Sequence, residues 1–310
     1  TLANFTASCP TCPSPTNRSL SALSDSSATI TWTNFSGSNQ TEVWFGPQGF
    51  YQGTQTMAGT KFLVSGDSAT IDTLSPDSCY DVYLRSICAA GDSGAWVGPV
   101  SFCTPCVPIT APFTEDFENH TLGYFQGDDN CWTIQNTAVL SSNTNGYSWE
   151  LRNAVQTTSG GTGADRDATL FPATGGQFFN ADVSYGSSGD SSMLISPVID
   201  ISGLNNPELE YNVHRYGNNM AEFYVDIFDG TQWVNGVHSY TSLTGAQTSN
   251  AAAWTDTTIS LSAYAGITNF QVRFRTVSNG CCAGDNGVDQ IRISDPVTCP
   301  APSSLSASNI

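Results

Sequence analysis

Oxygen ligands dominate the residues that could do chemistry in this sequence. Carboxylates gather at Glu115-Asp116-Phe117-Glu118, Gly127-Asp128-Asp129-Asn130, Asp165-Arg166-Asp167 and Asp285-Asn286-Gly287-Val288-Asp289. Carboxylate and amide oxygens on loops suit a hard cation such as Ca²⁺, which takes ~6–8 of them. The alternative is a set of solvated loop acids that keep the chain soluble.

Nucleophilic and acid–base machinery has a weaker signal. Three histidines occur, His120, His214 and His238, and none lies in a His-Glu-x-x-His pattern. No Gly-x-Ser-x-Gly is present either. The familiar zincin and α/β-hydrolase signatures are therefore missing. A paired-carboxylate hydrolase stays open as a third reading, on analogy of fold alone.

Charge narrows the partners. Lys and Arg total 9 against 27 Asp and Glu, for a net charge of −18. Such a chain cannot neutralise phosphates, so nucleic acid is excluded as a partner. No apolar run reaches the ~18–20 residues of a membrane-spanning helix, so membrane insertion is not expected. The ten cysteines form no paired C-x-x-C zinc pattern. Cys9-Pro10-Thr11-Cys12 and Cys103-Thr104-Pro105-Cys106 sit in Pro/Thr-rich linkers, not at the start of a helix. Disulfides in an oxidising, extracellular setting are the better reading.

The elements that must position these groups read as strands throughout. Short alternating apolar runs are separated by Gly, Ser, Asn, Asp and Pro, the pattern of an all-β chain. Ala28–Trp32, Thr41–Phe45, Phe62–Val64 and the run from Tyr80 are strands of a first block. In the last of these the alternation places Tyr80, Val82 and Leu84 inward and Asp81, Tyr83 and Arg85 outward. A linker, Thr104–Pro112, leads to a second block with strands at Ser192–Ser196, Leu209–His214, Phe223–Ile227, Phe270–Phe274 and Gly287–Ile293.

The first block resembles a fibronectin type III domain through Trp32, the Leu74-Ser75-Pro76 run before Tyr80, and Trp96-Val97-Gly98-Pro99. The Leu-x-Pro preceding a strand-opening Tyr suggests a tyrosine corner. The second resembles a MAM-type domain, a concanavalin-like jelly roll. Its acidic Phe-Glu opening, Leu194-Ile195-Ser196-Pro197, the Leu209-x-Tyr211-x-x-His214 strand and the closing Asp289-x-Ile291 carry the likeness. The family's cysteines are not matched position by position. The resulting division is 1–9 upstream remnant, 10–104 fibronectin type III, 105–112 linker, 113–296 MAM-like jelly roll, and 297–310 a further repeat. The last follows from Thr298-Cys299-Pro300-Ala301-Pro302, which repeats Thr11-Cys12-Pro13-Ser14-Pro15 and implies a piece of a longer array.

These resemblances set the site expectations. The poles of a fibronectin sandwich pair Cys12 with Cys88 and Cys79 with Cys103. Cys106 with Cys131 would staple the linker to the second domain. Cys281 and Cys282 would form a vicinal bond, with separate bridges or free thiols as the alternative. The MAM likeness implies a structural Ca²⁺ held by Asp116, Glu118, Asp165, Asp167 and Asp289. If the Leu209, Phe223 and Phe270 strands are neighbours, Asn212, His214, Tyr224, Gln271, Arg273 and Arg275 share one face. That face would hold an extracellular polysaccharide, or be an ordinary solvated sheet face. Short Asp-Ser/Thr signals resembling O-glycosylation sites mark Ser68, Thr73 and Thr257.

Together the modules resemble large secreted surface and adhesin proteins of Bacteroidota. The expected role is a non-catalytic structural and adhesive segment, braced by Ca²⁺ and disulfides. Its partners would be neighbouring modules of the same chain and, in a filament, copies of itself. A carbohydrate-binding segment of a polysaccharide-degrading enzyme is the alternative.

Overall fold

The structure, a computed structural model, describes residues 12–51, 59–120, 131–137, 147–153, 161–182, 186–280 and 284–296. The Gly127–Asn130 acids, Cys281, Cys282 and the repeated segment from Thr298 lie outside them. The chain forms two compact units, Thr1–Val107 and Pro108–Ile310.

The first unit contains strands β1 (Thr16–Leu23), β2 (Ala28–Thr33), β3 (Gln40–Pro47), β4 (Thr60–Val64), β5 (Ser68–Ile71), β6 (Cys79–Ala89), β7 (Asp92–Ser93) and β8 (Val97–Cys103). One sheet runs β1-β2-β5 and the other β4-β3-β6, with β7 and β8 both on β6. This is the fibronectin type III arrangement. Period-two alternation supplies the core, where Ile30, Trp32, Val43, Val82, Leu84 and Phe102 pack together. The Tyr80 hydroxyl accepts the Ser75 amide proton at 2.9 Å, forming the tyrosine corner. Cys12 is bonded to Cys88, and Cys79 to Cys103. Cys106 and Cys131 are each disulfide-bonded as well.

The outward residues of β6 depart from the simple alternation. Tyr83 is buried in a second aromatic cluster with Trp44 and Phe50, flanked by Tyr51 and Trp96. Asp81 is buried too, accepting from the Gly49 amide and the Ser101 hydroxyl. Alternation says which side a residue faces; here the outer side is itself covered by aromatic rings. Ser68 and Thr73 are exposed.

The second unit contains β9 (Ile109–Thr110), β10 (Phe113–Glu115), β11 (Thr133–Asn136), β12 (Trp149–Asn153), β13 (Gln177–Ala181), β14 (Ser191–Ile195), β15 (Ile199–Asp200), β16 (Glu208–Gly217), β17 (Glu222–Phe228), β18 (Trp233–Tyr240), β19 (Thr255–Ser260), β20 (Gln271–Val277) and β21 (Gly284–Ser294). Sheet I runs β12-β13-β21-β16-β19, with β10 also on β21. Sheet II runs β11-β14-β20-β17-β18. Their inner faces interlock Trp149, Phe179, Val288, Leu209 and Val213 with Leu194, Phe223, Val225, Val272 and Phe274 in one core. The strand order jumps along the chain, as a jelly roll requires. The early strand β10 and the last strand β21 lie side by side, with Phe113 opposite Ile293.

Two expectations fail here. β16 belongs to sheet I, whereas β17 and β20 belong to sheet II. Asn212 and His214 therefore do not share a face with Tyr224, Gln271, Arg273 and Arg275. Thr257 is also no open glycosylation site: it is 9% exposed and its hydroxyl is hydrogen-bonded to that of Tyr240 at 3.0 Å.

Candidate metal centre

Three of the five predicted acids gather where β10 and β21 meet. Val288 and Ile291 both face the core, so β21 accommodates two residues between them on the outer side. Gln290 takes a left-handed backbone, φ 46°, which makes this a bulge. The pairing of β16 with β21 shifts register at the same level. The bulge fixes Asp289, whose Oδ1 accepts the Gln290 amide at 2.8 Å and whose Oδ2 accepts the Ala168 amide at 2.8 Å. The 161–176 segment thus lies over the outer face of sheet I, and Asp167 within it is fully buried. Asp167 Oδ2 accepts the Leu170 amide at 3.1 Å. Glu118, at the turn after β10, accepts the Gln177 amide at 2.7 Å.

The electrostatics of this cluster are unfavourable without a countercharge. Burial pushes the Asp167 carboxyl up to about 6, and the nearby Glu118 carboxylate adds to the rise. Burial also holds Asp289 well above the usual carboxylate range, with Asp167 contributing repulsion. Among the described residues, Asp167 Oδ1, Gln177 Oε1 and the Thr169 hydroxyl are buried without a hydrogen-bond partner. All are oxygens, the donor set of a hard cation. Among the described residues no three carboxylates bring an oxygen each within 4.8 Å of one another. A cation here needs the Gln177 amide, the Thr169 hydroxyl or backbone carbonyls beside the acids. With those included, the residues present fit Ca²⁺. Neither Gln177 nor Thr169 was in the predicted set, because neutral oxygens carry no charge pattern in a sequence.

Asp116 and Asp165 stand apart from this centre. Asp116 turns back to accept the Glu118 amide at 3.2 Å. Asp165 is engaged by its neighbour, with Arg166 Nε 2.7 Å from Oδ1 and Nη2 3.0 Å from Oδ2. In each pair the two acids are separated by one residue, and the local turn sends them to different partners.

Beside the centre lies a polar groove of about 780 Å³, lined by residues including Asp116, Glu210, Asn212, Asp256, Gln290 and Arg292. Asn212 donates to Asp256 there, and Arg292 pairs with Glu210 at 3.1 Å. His214, two residues on, is fully buried against Trp254, their ring centres 5.4 Å apart. Burial lowers its pKa to about 4.

Sheet II brings the other four predicted ligand residues to one outer face. Tyr224 is opposite Arg275, and Asp226 is opposite Arg273. Asp226, wholly buried, accepts from Arg273 Nε at 2.9 Å and Arg275 Nε at 2.8 Å. The guanidinium of Arg273 lies 4.2 Å from the Trp233 ring centre, and that of Arg275 4.4 Å from Tyr224. Gln271 instead donates to the Ser196 carbonyl at 2.8 Å. The arginines are already paired and stacked, so the face is a closed polar network more than an open anion site.

Comparison with known proteins gives one family match and several structural likenesses. The family profile described as MAM domain, meprin/A5/mu, matches residues 117–300. Among solved structures, the K1 cleaved adhesin domain of Lys-gingipain from Porphyromonas gingivalis W83 is similar at 16% identity, over 60% of this chain and 98% of that one, with TM-score 0.38. The fn3 domain of human collagen alpha-1(XX) is similar at 18% identity, over 35% of this chain and 99% of that one, with TM-score 0.28. The FN5 domain of Drosophila Lar is similar at 16% identity, over 30% of this chain and 97% of that one, with TM-score 0.26. No curated protein sequence matches.

Proposed function

The chain belongs to the MAM domain family, and from that premise we propose that it is a non-catalytic, extracellular adhesive and structural segment of a larger secreted surface protein. The observation that carries this reading is the cluster of buried Asp167 and Asp289 with the half-buried Glu118, beside the paired strands β10 and β21. Glu118 follows β10 and Asp289 lies in β21, with Asp167 from the covering loop between them. Ca²⁺ supplies the missing countercharge when bound. The protein's own residues then fix the ends of the module: the bulge at Gln290 aims Asp289, and Gln177 orients Glu118. The disulfides Cys12–Cys88 and Cys79–Cys103 brace the fibronectin-like unit in the same spirit. Such bracing suits a bead that carries contact and load, in a surface protein of the kind made by Bacteroidota. Neighbouring modules of the parent chain, and copies of it in a filament, are its partners in this reading.

The test is attachment without turnover. Beads coated with the full chain are expected to adhere to polysaccharide- or protein-coated surfaces better than bare beads in Ca²⁺, and to lose that adhesion in chelator. Adhesion no better than bare beads overturns the adhesive reading, and consumption of a polysaccharide in solution overturns the non-catalytic one.

A second reading, carbohydrate binding, is favoured by the groove beside Asp289. Its amides, carboxylates and hydroxyls suit sugar hydroxyl groups. A glycan array on wild type and Asn212→Ala checks it. No binding by wild type removes it.

A further inference from the structure

A second oxygen-rich cluster lies on the same outer face of sheet I, four residues earlier along β21. Partners across an antiparallel ladder share a face. Glu150 is opposite Asn180, and Asn180 is opposite Gly287. Asp285 and Asp182, each two residues along its chain from Gly287 and Asn180, point to that same side. All four polar groups are buried: Glu150 is 2% exposed, Asn180 3%, Asp182 3% and Asp285 0%. Glu150 is paired with Arg152. Asp285 and Asp182 are both close enough to the buried Tyr147 hydroxyl to raise its pKa, after the larger effect of burial.

The start of the covering loop shapes this cluster. Thr162 donates its hydroxyl proton to Asp285 Oδ2 at 3.1 Å. Gly163 follows with φ +71°, and a Cβ there would lie 3.0 Å from Asp285 Oδ2 and 3.2 Å from Asn180 Oδ1. Both oxygens therefore lie on the same side of Gly163, where the missing side chain lets them approach the loop. Asn180 Oδ1 is buried and accepts no hydrogen bond among the described residues. An amide oxygen without a donor beside a buried carboxylate is costly unless a positive charge sits between them.

We propose that Asn180, Asp285 and Thr162 hold a second hard divalent cation, with Asp182 and Glu150 adding negative charge around it. Oxygen-only donors select Ca²⁺ over softer, nitrogen- or sulfur-seeking metals. The loop 161–176 is then fastened twice, at Thr162–Gly163 by this site and at Asp167 by the first centre. The proposal adds a site to the one argued above and does not depend on it.

Counting Ca²⁺ separates the two. The full chain, stripped with chelator and titrated with Ca²⁺ by calorimetry and native mass spectrometry, is expected to bind two ions. Asp285→Asn and Asn180→Ala each leave one, and Asp289→Asn leaves the other. Asn180→Asp adds a charged ligand and tightens the second site roughly tenfold. It provides the reading should Asp285→Asn not fold. The proposal is overturned if wild type binds a single ion that Asp289→Asn removes and Asp285→Asn does not. It is equally overturned if Asn180→Asp destabilises the chain in Ca²⁺ without tightening binding. A single ion lost in Asp285→Asn but kept in Asp289→Asn supports this site and removes the first centre. Binding of no ion removes both.

Discussion

Gly176 lies against the carboxylate of Asp167: a Cβ built on it would fall inside that group, and its backbone holds φ +75°. Glycine is required twice over, for the left-handed backbone and for the space. Gly176→Ala is expected to lose about 2–4 kcal/mol, from left-handed strain and forced displacement of Asp167. The same change weakens Ca²⁺ binding at the first centre. Thermal unfolding with and without Ca²⁺ checks both. A variant as stable as wild type in both conditions would show that the Asp167 loop yields freely.

The buried acids also set a pH dependence. Asp167 titrates at about 6 in the fold against an ordinary 3.8, and burial also holds Asp289 well above 3.8. The native state thus holds extra protons over this interval, so these groups' contribution falls as pH rises from about 4 past 6 in chelator. His214 works the opposite way. Its pKa is lowered from 6.5 to about 4, so its contribution grows over much of the same interval. The two trends overlap, and the difference between Ca²⁺ and chelator isolates the carboxylates. That difference in Tm is expected to be small near pH 4.5 and to grow above pH about 6, as Ca²⁺ competes with fewer protons. A pH-independent difference counts against Asp167 and Asp289 as ligands.

The legible and illegible parts of the site divide on physical lines. Alternation marks Asn212 and His214 as opposite in direction to Tyr211 and Val213, and the structure agrees. It cannot say which strands are neighbours, since β21 inserts between β13 and β16 from far along the chain. The single ligand face failed because the chain crosses from sheet I to sheet II between β16 and β17. The approach of the Glu118 segment to Asp289 followed from the family likeness, in which the opening and closing strands run side by side, as β10 and β21 do. The pairing of Asp226 with two arginines was not legible, because it depends on the register of β17 against β20.

That pairing has a measurable weight. Asp226 is the shared acceptor of Arg273 and Arg275, which are 12% and 20% exposed at the side chain. Asp226→Asn leaves two guanidinium groups without their countercharge in a half-buried site. The expected loss is about 2–3 kcal/mol, below the value for a fully buried pair because both arginines reach solvent. The two arginines also hold the Asp226 carboxyl below its ordinary pKa despite burial. Chemical denaturation at neutral pH checks this. A loss below half a kcal/mol would mean that stacking on Trp233 and Tyr224, and not charge pairing, positions the arginines.

The disulfides of the fibronectin-like unit differ in the loops that they close. Cys12–Cys88 spans 76 residues, and Cys79–Cys103 spans 24. Loop-closure entropy makes the longer bridge worth ~4 kcal/mol and the shorter ~3 kcal/mol. The longer one also ties the segment before β1, whose residues are all exposed, to the end of β6. Replacing Cys12 and Cys88 together by serine is therefore expected to lower stability more than replacing Cys79 and Cys103, and to free β1 for faster amide exchange. The shorter bridge is backed by other contacts at its pole. Cys79 and Cys103 face each other across the β6–β8 ladder, and Thr104 bonds both Ser75 and Ser78. Hydrogen exchange on the two double variants decides the matter: slower exchange in β1 without Cys12–Cys88 than without Cys79–Cys103 would show that the β2 ladder, and not the bridge, retains the first strand.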